Sequence, residues 1–239
     1  MTIWIVLGCP RSGTSLVAGL LHKNGVAMLG EGQQPEEDAG PRNPRGYYEN
    51  LDFTHCNAAI LKQHGWHVTD PPSLDWQAGE DDFLRVHRVL ERYLPRADDW
   101  GWKDPRMALL WHVYRANLPA DLPVRLVITH RNPLTAAFSM LQHGMATSLD
   151  DALAVVAAYE WRLVDIARET AWPTLHVSFE NWWYANEMQR KALDMFAGKR
   201  MDYSHFDDTM WRAGLKTAKV YSYRIEPERE VNDGPTHIP

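Results

Sequence analysis

The chain has 239 residues, 45% hydrophobic and 23% charged, and 25 basic against 31 acidic residues leave a formal net charge of −6. That length suits one α/β core, and the acidic balance argues against a nucleic-acid partner, which needs a basic surface to displace counterions. Cys9 and Cys56 are too few for a disulfide framework or a thiolate zinc site, no run approaches the roughly 20 apolar residues of a membrane span, and no apolar leader opens the chain, so a single cytoplasmic domain over 1–239 is expected.

Ile3-Trp4-Ile5-Val6-Leu7 is a short, continuous apolar run, the pattern of a strand buried on both faces. It leads into Gly8 to Gly13, and from Thr14 the apolar spacing turns helical through Leu16, Leu20 and Leu21 until Asn24-Gly25, where glycine marks a helix end. Residues 28–48 mix Gly, Pro, Glu, Asp and Asn without a period and read as a long loop of the functional kind. Helices over 51–64 and 81–93 flank a Trp- and Pro-rich loop, and 94–105 carry no assigned element. Arg106 to Asn117 is an apolar-striped helix, and Val124 to Thr129 a second buried strand. A helix over 133–143 follows, then a long one over 148–169 with Ser148 as N-cap, a third strand over 174–178 and a helix over 186–196. The polar stretch 202–239 reads as an irregular C-terminal extension. Strands alternating with helices predict an α/β fold, a three-layer P-loop-type domain with a central parallel sheet flanked by helices.

Gly8-Cys9-Pro10-Arg11-Ser12-Gly13-Thr14-Ser15 has the spacing of a P-loop, except that Thr14 stands where the lysine belongs. Loop amides and a helix N-terminus suit an anion whatever that residue is. Without the lysine that reaches the β and γ phosphates, a nucleoside triphosphate is disfavoured, and Arg11 supplies a cation from inside the loop instead. A second anion candidate follows the second strand, where Arg131-Asn132-Pro133 precedes Ser139. A fully helical path would put Ser139 about 12 Å along the axis from the strand end, so a bend must precede the helix if both side chains are to reach one phosphate.

The segment from Pro10 to Ser15 resembles the 5′-phosphosulfate loop of the sulfotransferase family, in the bacterial branch related to the tyrosylprotein sulfotransferases. Arg131 to Ser139 resembles the family's 3′-phosphate motif, and Trp102-Lys103-Asp104-Pro105-Arg106 its Lys-Asp-Pro segment. The resemblance covers roughly 3–200. It implies transfer of a sulfuryl group from 3′-phosphoadenosine 5′-phosphosulfate (PAPS) to a hydroxyl, with adenosine 3′,5′-bisphosphate (PAP) as product and no metal. Pro10, Arg11, Ser12, Gly13, Thr14, Ser15, Arg131 and Ser139 would hold the donor, and Arg11 and Lys103 would stabilise charge at the breaking bond. Two acids compete as general base: Glu31, placed first because it lies near where related enzymes carry theirs, and Glu49, in a segment that recurs in bacterial members. The late motif departs from the family's Tyr-Glu-Asp-Leu, reading Ser178-Phe179-Glu180-Asn181-Trp182, and the Gly-rich C-terminal cofactor segment of cytosolic members is absent. Arg42 and Arg45 are candidates for an anionic acceptor or the cofactor, and Arg212 and Lys216 for the adenine or a C-terminal clamp.

The acceptor is expected to be a small-molecule or carbohydrate hydroxyl. The alternatives are a P-loop nucleotide kinase and a non-catalytic nucleotide-binding module. Of the eleven tryptophans, most are expected in the core, with Trp66, Trp76, Trp100 and Trp102 contributing to an acceptor pocket.

Overall fold

The computed structural model describes residues 1–35, 43, 46–119 and 121–204. The predicted C-terminal extension falls almost wholly outside the described residues, as do Arg42, Arg45, Arg212 and Lys216. In chain order the elements are β1 (Ile3–Gly8), α1 (Thr14–Lys23), α2 (Leu51–Gln63), α3 (Glu80–Tyr93), β2 (Trp100–Lys103), α4 (Arg106–Leu109), α5 (Trp111–Asn117), β3 (Val124–His130), α6 (Pro133–Gln142), α7 (Leu149–Glu169), β4 (Thr174–Ser178), α8 (Asn181–Tyr184) and α9 (Asn186–Ala197).

The sheet is wholly parallel in the order β2-β1-β3-β4. Alternate residues of β1 serve two cores, which is why the strand reads as apolar throughout. Ile3, Ile5 and Leu7 pack with Phe53, Tyr114 and Tyr159 from α2, α5 and α7. Trp4 and Val6 pack on the opposite face with Leu20, Trp182 and Leu193 from α1, α8 and α9. The expected three-layer α/β architecture is therefore present. Among the described residues, no helix is long and apolar enough to cross a membrane.

Three parts differ from the sequence reading. Trp100–Lys103 is a strand, registered on Ile3 to Val6; Gly101 lies so close to Trp4 that a Cβ there would strike the Trp4 carbonyl. The helix expected over 106–117 breaks at Leu110, between α4 and α5. Trp100 and Trp102 are fully buried in the core, with Trp102 stacked on Phe53 at a centroid distance of 4.5 Å and 8° between planes. They line no acceptor pocket. Trp66 and Trp76 pack against each other at 4.8 Å and against His64, half-buried on the α3–α5 side.

Candidate anion-binding and catalytic site

The strand order carries three sequence motifs to one edge of the sheet. β1 ends in the phosphate loop, Lys103 ends β2 on one side of it, and Arg131 follows β3 on the other. With neighbouring strands about 4.8 Å apart, Lys103 and Arg131 flank the loop from strands about 10 Å apart. Carboxyl ends of parallel strands beside a reversal in strand order are where open α/β sheets bind ligands.

The loop itself is tightly made. Arg11 has φ 70° and Gly13 φ 95°, so two left-handed residues turn the chain into α1. A Cβ at Gly8 would collide with Thr129 Oγ1, Ser12 Oγ and Thr14. Ser12 Oγ and Thr129 Oγ1 are 2.7 Å apart, and Thr129 Oγ1 donates to the Leu7 carbonyl. Ser12 and Thr14 are thus buried supports of the loop rather than exposed hydroxyls. Among the described residues α1 has no side-chain N-cap, and its first turn carries no acidic residue, so the helix's own first turn leaves its N-terminal dipole without a carboxylate.

Arg11 crosses to α6, where its Nε donates to Ser139 Oγ at 3.1 Å and its Nη2 lies 3.3 Å from His143 Nε2. Arg131 Nη1 donates to the Arg11 carbonyl at 2.9 Å, and its Nε to Thr135 Oγ1 at 3.1 Å. Arg11 therefore joins Arg131 to Ser139. The required bend is supplied by Asn132, whose side chain caps α6 by accepting from the Leu134 and Thr135 amides. Glu180 secures that turn, accepting from the Asn132 amide at 3.0 Å and from Ser178 Oγ at 3.0 Å. The altered late motif thus still braces the Arg131 turn. Phe179 covers the cluster, with its ring 4.4 Å from the Arg131 guanidinium and against Gly13. Burial lowers Arg131 to about 10; Glu180 opposes the shift and the Arg11 cation adds to it. Two cations held together at this depth favour an anion between or beside them.

On the other side of the loop, Lys103 Nζ donates to Glu49 Oε1 at 2.6 Å and lies 5.6 Å from the Tyr47 ring centre. Lys103 is 1% exposed and Glu49 16%. Arg106 Nη1 stands 4.0 Å from Glu49 Oε2 and is held by both Asp104 oxygens, at 3.1 and 3.0 Å. Asp104 is wholly buried, with a further hydrogen bond from Asn57, which accepts from Tyr114. Burial pushes the Asp104 carboxyl up, against the pull of Arg106. This buried chain from α5 through α2 anchors the turn that presents Lys103 and Arg106.

Glu31 is exposed and lines an open cavity of about 580 Å³ with Gln33, Arg92, Tyr93 and Arg96, and its loop is tied to the Glu49 segment through Gln33, which donates to the Glu49 carbonyl at 2.7 Å. No contact among the described residues joins it to Lys103. The buried Cys9 thiol is pushed well up by burial, then by Glu160, which disfavours its thiolate. Among the described residues no group of three or more His, Cys, Asp or Glu is spaced to hold a metal ion. Sequence reasoning missed His143, Arg106's place beside Glu49, and the Asn57–Asp104 support; the only signal for His143 was its position four residues after Ser139, on the same helix face.

Loop, sheet and flanking cations define a P-loop-type three-layer α/β domain with a candidate anion site at the carboxyl edge. No protein-family model matches the chain, and no curated protein does. Among solved structures, the sulfotransferase domain from the Synechococcus PCC 7002 olefin synthase is similar in fold, over 86% of this chain and 76% of its own, with a TM-score of 0.53 and 16% identity.

Proposed function

We propose that the chain is a PAPS-dependent sulfotransferase acting on a hydroxyl acceptor. The observation that carries this reading is the meeting of Lys103 and Glu49 at 2.6 Å on the strand next to the phosphate loop. A cation and a carboxylate at one point are what in-line transfer to a hydroxyl needs: a base for the acceptor proton and positive charge for the group in flight. The donor, when bound, supplies a sulfuryl group on a phosphate leaving group. The residues present fit it, because two mutually close arginines, one of them buried, favour an anion and the glycine-tight loop leads into a helix N-terminus with no acidic residue in its first turn.

Arg131 and Ser139 would hold the 3′-phosphate end and the loop backbone from Pro10 to Ser15 the 5′ end; Arg11, expected from the sequence at the breaking bond, reaches Ser139 instead and would join the 3′-phosphate side. Lys103 would face the reacting group. Glu49 would take the acceptor proton, a role for which its contact with Lys103 places it ahead of Glu31. Glu49 and Lys103 must part for both to act, and Arg106 stands near enough to keep Glu49 oriented when Lys103 turns away. Tyr47, whose ring lies under Lys103, would flank the acceptor, which we take to be a small-molecule or carbohydrate hydroxyl.

Thermal-shift titration tests the reading. Adenosine 3′,5′-bisphosphate should stabilise the protein without Mg²⁺, and ATP with Mg²⁺ should do little. The reverse ranking would point to a P-loop kinase and sink the proposal, and binding without turnover on any acceptor would reduce it to a nucleotide-binding module.

A further inference from the structure

The long helix α7 is buried along one side, where Ala152, Val156, Tyr159, Leu163 and Ile166 face the core. A second stripe runs along the other side. Asp150, Ala154, Ala157, Trp161, Val164 and Arg168 follow one another at intervals of four and three residues, the spacing of a helix–helix seam, and all are exposed. In the stripe Trp161 is 64% and Val164 38% exposed. A lone exposed apolar residue is ordinary; a tryptophan inside an alanine-flanked seam with an opposite charge at each end is a patterned face.

The stripe is its own complement. Turned end for end at the level of Tyr159, position 150 falls opposite 168, position 154 opposite 164 and position 157 opposite 161. A second copy of α7 laid antiparallel in that register meets an acid with a base at both ends. Each Trp161 then covers the Ala157 of the other copy, large against small, and the alanines let the two backbones approach.

We propose that this face binds a second copy of the chain, α7 against α7, on a two-fold axis at the level of Tyr159. Charge complementarity sets the antiparallel sense, since parallel copies would bring Asp150 onto Asp150 and Arg168 onto Arg168. It also requires two copies. Within one helix the two residues stand 18 positions apart, about 27 Å of rise, beyond a direct pair and beyond the screening length of roughly 10 Å. A two-fold contact of this kind uses the same patch on both partners and closes at two, so it leads to a dimer and not to a filament. One helix from each copy makes a small interface, and the dimer therefore belongs to the weak, concentration-dependent class. It is independent of what the anion site holds.

Sedimentation equilibrium of the full chain from about 1 µM to about 1 mM, a range that brackets weak association, reads the dimer directly. The wild type should pass from monomer to dimer, and Trp161→Ala should weaken association by more than about a hundredfold, because two central aromatic anchors are lost per dimer. Arg168→Asp should weaken it at least about fivefold, as two like-charge pairs replace two opposite ones. The double variant Asp150→Arg with Arg168→Asp should return to within about twofold of the wild type, since the swap restores opposite charges only across antiparallel copies. All are surface changes, and the Ser148 cap on the Asp151 amide still starts the helix when Asp150 is replaced. A wild type that stays monomeric throughout would overturn the proposal and leave the face to residues 205–239 of the same chain or to solvent. A dimer indifferent to Trp161→Ala would place the interface elsewhere. A dimer that Trp161→Ala breaks but the double swap does not restore would overturn the antiparallel register.

Discussion

Lys103 Nζ donates to Glu49 Oε1 at 2.6 Å, with the lysine buried and the carboxylate only partly covered. The pair joins the end of β2 to the segment before α2, and on it rests the proposed choice of Glu49 over Glu31 as base. Glu49→Gln should lower transfer by about 10²- to 10⁴-fold, the usual worth of a positioned base, while leaving adenosine 3′,5′-bisphosphate binding nearly unchanged. Glu31→Gln should stay close to wild type. The outcomes are read from initial rates on an acceptor panel; a dead Glu31→Gln beside an active Glu49→Gln would return the base to Glu31.

Arg131 is the most deeply buried cation of the anion cluster, and its contacts to Thr135 and to the Arg11 carbonyl aim it at the loop. Arg131→Ala should weaken adenosine 3′,5′-bisphosphate by about 10- to 100-fold, as expected for a charge-assisted hydrogen bond, and adenosine 5′-phosphosulfate much less. Calorimetric titration of both ligands separates the cases. Equal losses would assign Arg131 to bracing the turn with Thr135 and Phe179 rather than to the 3′-phosphate.

Much of this arrangement was legible in the residues. β1, α1 and the loop between them are written in a change of apolar period, and β3 with its Arg131 turn in an apolar run stopped by Pro133. β2 was not legible. It has four residues with a glycine in the middle, too short for a periodic signal, and it exists because Gly101 lets the backbone close on Trp4. That missed strand hid the main error about function, since Trp100 and Trp102 fall inside it and face the core. The Lys103–Glu49 contact was equally invisible, because it spans 54 residues and depends on where β2 ends.

Placing Trp102 in the core has a measurable consequence. It stacks on Phe53, packs near Trp100 at 5.3 Å, and donates Nε1 to Met107 Sδ. Trp102→Ala should cost about 3–5 kcal/mol of stability, the range for deleting a large buried aromatic side chain. Trp102→Phe should cost less and leave acceptor KM where it was. Denaturant unfolding gives the first quantity and kinetics the second. A stable Trp102→Ala with a raised KM would return Trp102 to an acceptor pocket.

Three histidines give the fold a pH dependence of definite sign. Burial lowers His112, His22 and His176 from the ordinary 6.5, reinforced at His22 by Lys23 and at His176 by His130. His112 stands edge-on to Trp76 at 4.7 Å, and among the described residues nothing hydrogen-bonds its Nε2. Each ring takes up a proton less readily in the fold than in the unfolded chain. Below pH 6.5 the unfolded state therefore binds more protons, and stability falls as the pH falls. Asp104, held up by burial, pulls in the opposite direction at lower pH, so the contribution of one imidazole is best read as a difference. The melting temperature of the wild type should drop between pH 7 and pH 5, and His112→Gln should show a shallower drop over the same range. Parallel curves for the two proteins would mean that His112 is solvated and titrates alike in both states.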